Sequence, residues 1–312
     1  MNITTQKVLL DEHERIGERR LELSGILEGK DDRLATIIGP CSMQLGTDHV
    51  YEARSLTRSL ISTTDSGIVP VVRLPVWKPR TNDEDWHGLD ESEPDAAMYQ
   101  LAHSVRQGTP VAIEVGNAEH VRTYGSLLTA MWIGARTHDR PKKEIQKLIA
   151  ACGVIAADIP LLVKNDMNGG SVRALKLIEK IREVRSYSTD VPAPVAMIFR
   201  GGASITTESE WEEAVLQSSQ AAKGSLIVDT AHGSETVHDH NAKKSVEGQI
   251  RALKHLRGMV SDGLALSGVM VEASDVVVTL PERETDPNIP TNVAKRLIRE
   301  IEKERTENNR KQ

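Results

Sequence analysis

Aromatic residues are scarce in this sequence: they make up 3% of its 312 residues, with a single Phe. The hydrophobic share of 39% is therefore mainly aliphatic, which suits a parallel sheet covered on both faces better than an aromatic-rich sandwich. Cysteine is also rare, with Cys41 and Cys152 as the two instances. No disulfide framework is expected, and a reducing compartment is predicted.

Two further features are missing. No apolar run approaches the roughly 20 residues that a membrane-spanning helix requires. The segment Met1–Lys7 leads into charged residues without the apolar core of a signal peptide. The formal net charge is -6, whereas nucleic-acid binding generally needs a basic face. We therefore expect a cytoplasmic protein with neither a membrane nor a nucleic acid as partner.

The chain does contain a repeated alternation of short apolar runs and helix-length segments. About eight Val/Ile/Leu-rich runs recur at roughly 30-residue intervals, which is typical of an α/β fold of the (β/α)8 TIM-barrel class. A doubly wound open sheet is the alternative, but its glycine fingerprint is missing after the first run. Residues 1–33 are predicted to form a short N-terminal helical extension, and residues 34–312 a single (β/α)8 barrel catalytic domain.

Cationic residues stand at or just after several of the apolar runs. In a barrel the carboxyl ends of all strands meet at one face, where active sites are built. Cations gathered there would bind an anionic ligand, and their number suggests more than one anionic group, for instance two phosphates and a carboxylate. The alternative for the stretch Val71–Thr81 is a solvated basic loop. The candidate cations are Arg73, Lys78, Arg80, Arg136, Lys164 and Arg200.

A second set of strand-end residues carries metal donors. It comprises Cys41, His232 and Glu272, with Asp286 shortly after the last. Thiolate, imidazole and carboxylate together suit Mn, Fe, Co or Zn better than Mg or Ca. Each residue alone has an ordinary structural interpretation, such as a buried thiol or an ion-paired carboxylate, and only a barrel would bring them together. Cys152 falls within a predicted helix and is interpreted as a packing residue.

Short motifs occur in a definite order along the chain: GPCS at 39–42, KPRT at 78–81, IGART at 133–137, KN at 164–165, RGG at 200–202, DTAH at 229–232 and GVMVE at 268–272. In this order they resemble the class I 3-deoxy-D-arabino-heptulosonate 7-phosphate (DAHP) synthases. The resemblance runs from about Glu18 to the final helix and is specific, because several multi-residue motifs agree in sequence order.

The resemblance implies a barrel enzyme that condenses phosphoenolpyruvate with erythrose 4-phosphate and releases phosphate, the first step of the shikimate pathway. It implies one divalent metal ion (Mn, Fe, Co or Zn) and a homodimer or homotetramer. The metal ligands would be Cys41, His232, Glu272 and Asp286. Phosphoenolpyruvate would be bound by Arg73, Lys78, Arg136, Lys164 and Arg200, and the aldose phosphate by Lys78, Arg80 and Thr81. The catalytic residues would be Lys78, as a candidate proton donor, with Cys41 and His232.

The sequence departs from the best-known family members in the elements that regulate them. Its N-terminal arm is short, and Ser186–Pro194 replaces the β-hairpin that helps to form their inhibitor site. We therefore expect no inhibition by phenylalanine, tyrosine or tryptophan. Two alternatives remain open. One is a paralogous synthase of secondary metabolism that uses a different aldose phosphate, such as arabinose 5-phosphate. The other is a non-catalytic barrel that binds a sugar phosphate.

Overall fold

The computed structural model describes residues 3–41, 67–77, 94–106, 108–167, 169–202, 205, 207–232, 242–275 and 288–310. Within these ranges, only the backbone is described for residues 3–11, 94, 96, 232 and 242–245. The predicted apolar runs form strands because their aliphatic side chains are buried on both faces of the sheet. The strands are β1 (Leu34–Gly39), β2 (Ile68–Arg73), β3 (Val111–Glu114), β4 (Ala130–Ile133), β5 (Leu161–Lys164), β6 (Val195–Arg200), β7 (Leu226–Asp229) and β8 (Gly268–Glu272).

The strands form a closed parallel barrel. Each pairs with the next in sequence order, and β8 pairs back with β1. In that closing pair, Ala35 lies opposite Gly268 and Gly39 opposite Glu272. An open doubly wound sheet has two edges and is therefore excluded. The predicted (β/α)8 class is confirmed.

Helices alternate with the strands on the outside of the barrel. Local signals start two of them: the Asn117 side chain accepts a hydrogen bond from the His120 backbone, and Thr207 and Glu210 form a capping box. None of the helices in the described ranges is long and apolar enough to cross a bilayer. The described helices are α1 (Ile3–Leu27), α2 (Pro94–Arg106), α3 (Ala118–Tyr124), α4 (Lys142–Ala150), α5 (Val172–Ser188), α6 (Glu208–Ala221), α7 (Ala242–Ser261) and α8 (Thr291–Asn309).

The N-terminal helix α1 packs against the barrel interior. Leu23, Ile26 and Leu27 are at most 1% exposed and share one hydrophobic cluster with the inward-facing strand residues. Arg20 of the same helix donates to the carbonyl of Leu128, just before β4, and Ser225, just before β7, donates to the carbonyl of Leu27. The helix therefore covers the amino-terminal ends of the strands. The boundary placed between residues 33 and 34 stays a prediction.

The segment after β4 is more irregular than a single helix. After α4 the chain continues as a π-helix, Ala151–Ile155. Arg185 of α5 is fully buried and donates to the carbonyls of Cys152, Ala156 and Ile159 on one side and of Ala193 on the other. Burial lowers the pKa of Arg185 to about 10. Cys152 is buried in the outer core, as its interpretation as a packing residue requires.

Candidate active site

The carboxyl-terminal residues of several strands face into the barrel. Side chains alternate between the two faces of a strand, and Val71 and Ile198 belong to the interior cluster. Arg73 and Arg200 follow them by two positions and therefore point the same way. The same spacing from an interior residue gives three cations and three carboxylates at the barrel mouth: Arg73, Lys164, Arg200, Glu114, Asp229 and Glu272.

Arg73 and Glu272 form a buried ion pair. Arg73 Nη1 lies 2.5 Å from Glu272 Oε1, and both side chains are 2% exposed. The same nitrogen also donates to the carbonyl of Pro40 at 3.2 Å. Burial by itself lowers the pKa of Arg73, but the negative charges of Glu272 and Cys41 outweigh it and raise that pKa above its ordinary value. Arg73 is therefore a permanent cation next to a proposed metal ligand.

Lys164 and Asp229 form a second buried ion pair. Lys164 Nζ lies 2.6 Å from Asp229 Oδ2, and the side chains are 6% and 1% exposed. The other carboxylate oxygen of Asp229 accepts from the backbone N–H of Ala231 at 3.1 Å. Asp229 thus fixes both the ammonium group and the start of the short 3₁₀ turn Thr230–His232. The Lys164 backbone carbonyl is 2.7 Å from His138 Nε2, so that nitrogen carries the proton.

Arg200 is held mainly by neutral groups. In the described part of the protein its guanidinium contacts the Gly201 carbonyl at 3.1 Å and the Met167 sulfur at 3.0 Å. Asn165 fixes its backbone, since Oδ1 accepts from the Arg200 N–H at 2.7 Å and Nδ2 donates to the Arg200 carbonyl at 3.0 Å. The pKa of Arg200 is lowered by burial and, despite the opposing charge of Asp229, also by the nearby positive charge of Arg136.

Trp132 fills the barrel directly beneath these residues. It faces the interior from β4 and is completely buried. The Arg73 guanidinium lies over its ring, 5.7 Å from the centroid, and its Nε1 donates to Glu114 Oε2 at 3.2 Å. A Cβ at Gly134 would overlap the Glu114 carboxylate, so a larger residue there would displace this carboxylate from Trp132. The large indole thus supports one cation and one carboxylate of the mouth.

Two of the proposed metal ligands lie at neighbouring strand ends. Cys41 follows β1 and is 6% exposed, and Glu272 ends β8 at 2% exposure. The Cys41 backbone N–H donates to Asn288 Oδ1 at 2.8 Å. Ile289 donates its N–H to the carbonyl of Glu272 at 3.0 Å. The strand ends that carry the thiol and the carboxylate are therefore held together by the segment that leads into α8.

A buried thiol and carboxylate at adjacent strand ends fit a divalent transition metal by their chemistry. His232 ends the 3₁₀ turn after β7, but its side chain is not among those described. Asp286 lies outside the described residues, which resume at Asn288. Among the described side chains alone, no three potential ligands are grouped. Of the four proposed ligands, the two whose side chains are described, Cys41 and Glu272, therefore fit a metal ion by their chemistry and position.

The structure places the predicted cations Arg73, Lys164 and Arg200 together at the barrel mouth, and the charge of Arg136 acts on Arg200. Lys78, Arg80 and Thr81 fall outside the described residues. Four polar residues that hold this set in place have no role in the sequence-based predictions. Asp229 had a signal, since it ends an apolar run with the same two-residue spacing as Lys164. The others act through side-chain amides, which leave little trace in sequence: Asn165, Gln249 and Asn288.

The fold and this mouth define a (β/α)8 enzyme with buried cations and carboxylates at the carboxyl ends of its strands. The DAHP synthetase I family matches residues 4–276. Because the match covers most of the chain, the chain belongs to this family. The matched range contains all the proposed site residues except Asp286.

Named relatives agree with this assignment. The chain is 25% identical over 297 residues to the Tyr-sensitive phospho-2-dehydro-3-deoxyheptonate aldolase of Escherichia coli K12, covering 85% of this chain and 77% of that protein. It is 23% identical over 293 residues to the phenylalanine-inhibited enzyme of Saccharomyces cerevisiae, covering 84% and 74%. A solved structure of such an aldolase from Francisella tularensis SCHU S4 superposes with a TM-score of 0.74 at 22% identity, over 95% of this chain and 92% of that one. The structural likeness supports the fold.

Proposed function

We propose that this chain condenses phosphoenolpyruvate with erythrose 4-phosphate to give 3-deoxy-D-arabino-heptulosonate 7-phosphate and inorganic phosphate. Family membership gives the reaction class, and the observation that carries the proposal is Arg200, a buried cation at the barrel mouth whose guanidinium contacts uncharged groups among the described residues. Burial lowers the pKa of Arg200, and the charge of Arg136 adds to that effect. A buried guanidinium in these surroundings is stabilised by a bound anion. Phosphoenolpyruvate brings both a phosphate and a carboxylate.

The proposed cations do not contribute equally to binding. The charges of Arg73 and Lys164 are balanced by Glu272 and Asp229. Arg200 is contacted by uncharged groups among the described residues. We therefore assign the strongest anion attraction to Arg200 and an orienting role to Arg73 and Lys164. Arg136 is proposed to share in binding phosphoenolpyruvate. Lys78 is proposed to join the phosphoenolpyruvate set, and Lys78, Arg80 and Thr81 to bind the aldose phosphate.

The reaction consumes one water molecule. C3 of the enol phosphate attacks the aldehyde carbon of the sugar and forms the new C–C bond. Water adds at C2, and phosphate leaves as the C2–O bond breaks. The proposed task of the cations is to hold both phosphorylated substrates so that C3 faces the aldehyde. We propose that Lys78 donates a proton to the aldehyde oxygen as it becomes a hydroxyl.

A divalent metal ion held by Cys41, His232, Glu272 and Asp286 would supply Lewis-acid polarisation of the aldehyde. The chemistry of the donor set favours Mn, Fe, Co or Zn. We further propose a cytoplasmic homodimer or homotetramer that is not feedback-inhibited. Residues 189–194 support the last point, because they connect α5 to β6 in six residues that contain no strand.

The test is phosphate release from phosphoenolpyruvate by the purified, Mn-loaded protein. Erythrose 4-phosphate, arabinose 5-phosphate and ribose 5-phosphate are supplied in parallel, with and without EDTA. We expect chelator-sensitive release with the four-carbon sugar. Release with a five-carbon sugar alone would identify a paralogous synthase. No release with any of the three would favour a binding barrel and contradict the proposal.

A further inference from the structure

Gln249 is a buried polar residue on an otherwise apolar face of α7. It is completely buried, as are Leu253 and Leu256 further along the helix. The spacing of four and seven residues places all three on the stripe that faces the barrel. Burying a side-chain amide costs free energy unless its hydrogen bonds are made inside the protein. The position therefore needs a structural or functional explanation.

The amide of Gln249 clamps the backbone of one proposed metal ligand. Its Oε1 accepts from the Glu272 N–H at 2.8 Å, and its Nε2 donates to the Glu272 carbonyl at 3.0 Å. Both polar groups of that residue's backbone are therefore fixed by one side chain. Because Glu272 is the last residue of β8, this clamp sets where the strand ends and how its carboxylate is presented.

The same amide reaches the turn that carries a second proposed ligand. Thr230 Oγ1 lies 3.4 Å from Gln249 Oε1 and 3.2 Å from the Met270 carbonyl, and Thr230 is completely buried. Thr230 opens the short 3₁₀ turn that ends at His232. Gln249 is thus hydrogen-bonded to elements that carry two of the four proposed ligands, although it is on neither strand.

We infer that Gln249 is a positioning residue. It holds Glu272 and the turn that ends at His232 in the relative positions that a divalent transition-metal ion requires. The inference rests on the metal site in the proposed function. Outer groups that orient metal ligands typically change metal affinity by about 10- to 100-fold when they are removed. The substitution Gln249→Met keeps the length and bulk of the side chain and removes both hydrogen-bonding groups.

The experiment measures the dissociation constant for Co²⁺ by competition with a fluorescent chelator, with the thiolate-to-cobalt absorption band as an independent report on Cys41. Gln249→Met is expected to weaken Co²⁺ binding by about 10- to 100-fold. Two control variants separate positioning from general damage. Gln217→Met changes an exposed glutamine on α6. Leu253→Ala removes buried bulk from the same helix and lowers the melting temperature without touching Glu272.

Both controls are expected to bind Co²⁺ as the unchanged protein does. Unchanged affinity in Gln249→Met, or an equal loss in Leu253→Ala, would overturn the inference while leaving the proposed function intact. If the unchanged protein itself binds no Co²⁺, the metal site and the inference fail together, and that result is visible before any variant is made. If Gln249→Met does not fold, Thr230→Val is the alternative variant for the same Co²⁺ measurement. It removes one hydroxyl, and a smaller loss of affinity is expected, whereas no loss would contradict the link between the two ligands.

Discussion

Arg73 and Glu272 stand at the ends of two strands that are not neighbours, with β1 between them, yet their side chains meet at 2.5 Å. Gly39 ends the intervening strand. A Cβ there would overlap the backbone carbonyl of Arg73, so the close approach of β1 and β2 requires a glycine. The pair connects a proposed substrate cation to a proposed metal ligand. The two halves of the site are therefore in direct contact.

The first prediction concerns this pair. Arg73→Met leaves the Glu272 carboxylate buried without its guanidinium and should lower the free energy of unfolding by about 3–5 kcal/mol. The double variant Arg73→Met/Glu272→Leu removes both charges. Its loss in the free energy of unfolding should be much smaller than the sum of the losses in Arg73→Met and Glu272→Leu. Urea unfolding of the unchanged protein, the two single variants and the double variant measures the coupling energy of the pair. The exposed pair Arg122 and Glu119 is the matched control, with a coupling of at most about 1 kcal/mol. If the losses in the free energy of unfolding at Arg73 and Glu272 simply added, the two side chains would not be coupled, contrary to the prediction.

The second prediction concerns anion binding. Arg200→Met should lower kcat/KM for phosphoenolpyruvate by about 10- to 100-fold, the effect of removing a hydrogen bond to a charged group. Most of the change should fall on KM, because Arg200 is assigned to substrate binding. The control is Arg182→Met on α5, whose guanidinium donates to the Val195 carbonyl. Equal kinetic effects of the two substitutions would argue against Arg200 as a binding residue.

The third prediction concerns the packing of the Trp77 ring. The ring is 1% exposed, makes an edge contact with His120 at 5.0 Å between centroids, and lies 5.2 Å from the guanidinium carbon of Arg140. A Cβ at Gly116 would overlap this ring. Trp77 immediately precedes Lys78, so displacing it should disturb the proposed aldose-phosphate residues.

Gly116→Ala should therefore raise KM for erythrose 4-phosphate more than KM for phosphoenolpyruvate. Gly125→Ala is the matched control, because an added Cβ there would lie 3.5 Å from its nearest neighbour, an ordinary contact. Steady-state kinetics with each substrate varied in turn provides the measurement. Unchanged KM values in Gly116→Ala would show that the packing of the Trp77 ring does not position the segment that follows it.

The fourth prediction concerns pH and Cys152. Burial raises the pKa of this thiol from its ordinary 9.0 to about 12. Above pH 9 an unfolded cysteine loses its proton while the folded one keeps it, so the unfolded state binds fewer protons. The contribution to stability is therefore fully present below pH 9 and is lost as the pH rises toward 12. The slope is up to about 1.4 kcal/mol per pH unit.

Denaturant unfolding at several pH values between 9 and 11 tests this, with Cys152→Ala as the comparison. The lowered pKa of Arg185 acts in the opposite sense at high pH but is present in both proteins, so the difference between them reports on the thiol. The unchanged protein should lose stability faster with pH than Cys152→Ala. Parallel curves would contradict the raised pKa.

The fifth prediction concerns regulation. Turnover should be unaffected by phenylalanine, tyrosine or tryptophan at physiological concentrations, since the direct connection between α5 and β6 holds no hairpin. Initial rates at subsaturating substrate are the sensitive measurement, because an inhibitor that acts on substrate binding is most visible there. Clear inhibition by any of the three amino acids would contradict the prediction.

The sequence sufficed for the barrel because closure depends on a regular alternation of apolar runs and helices, which the chain repeats. It also located Arg73, Lys164 and Arg200, since each ends an apolar run. It did not predict the pairing of Arg73 with Glu272 or of Lys164 with Asp229. That depends on strand register and on which side chains share the interior, and both follow from tertiary packing.

The amide clamps were harder still to foresee. Gln249 and Asn288 lie outside the strands and reach the site only through tertiary packing, so no local spacing connects them to Glu272 or Cys41. A glutamine on the apolar stripe of a helix was the one available signal, since such a residue needs buried partners. Lys78, Arg80, Thr81 and Asp286 lie outside the described residues and stay predictions.

The most direct measurement is the stoichiometry of the reaction with both proposed substrates present. The purified, metal-loaded protein is incubated with phosphoenolpyruvate and erythrose 4-phosphate, and the products are quantified by phosphate assay and mass spectrometry. We expect equimolar phosphate and a seven-carbon 3-deoxy sugar acid phosphate, with neither formed when either substrate is omitted. Phosphate without the seven-carbon product, or no reaction at all, would contradict it.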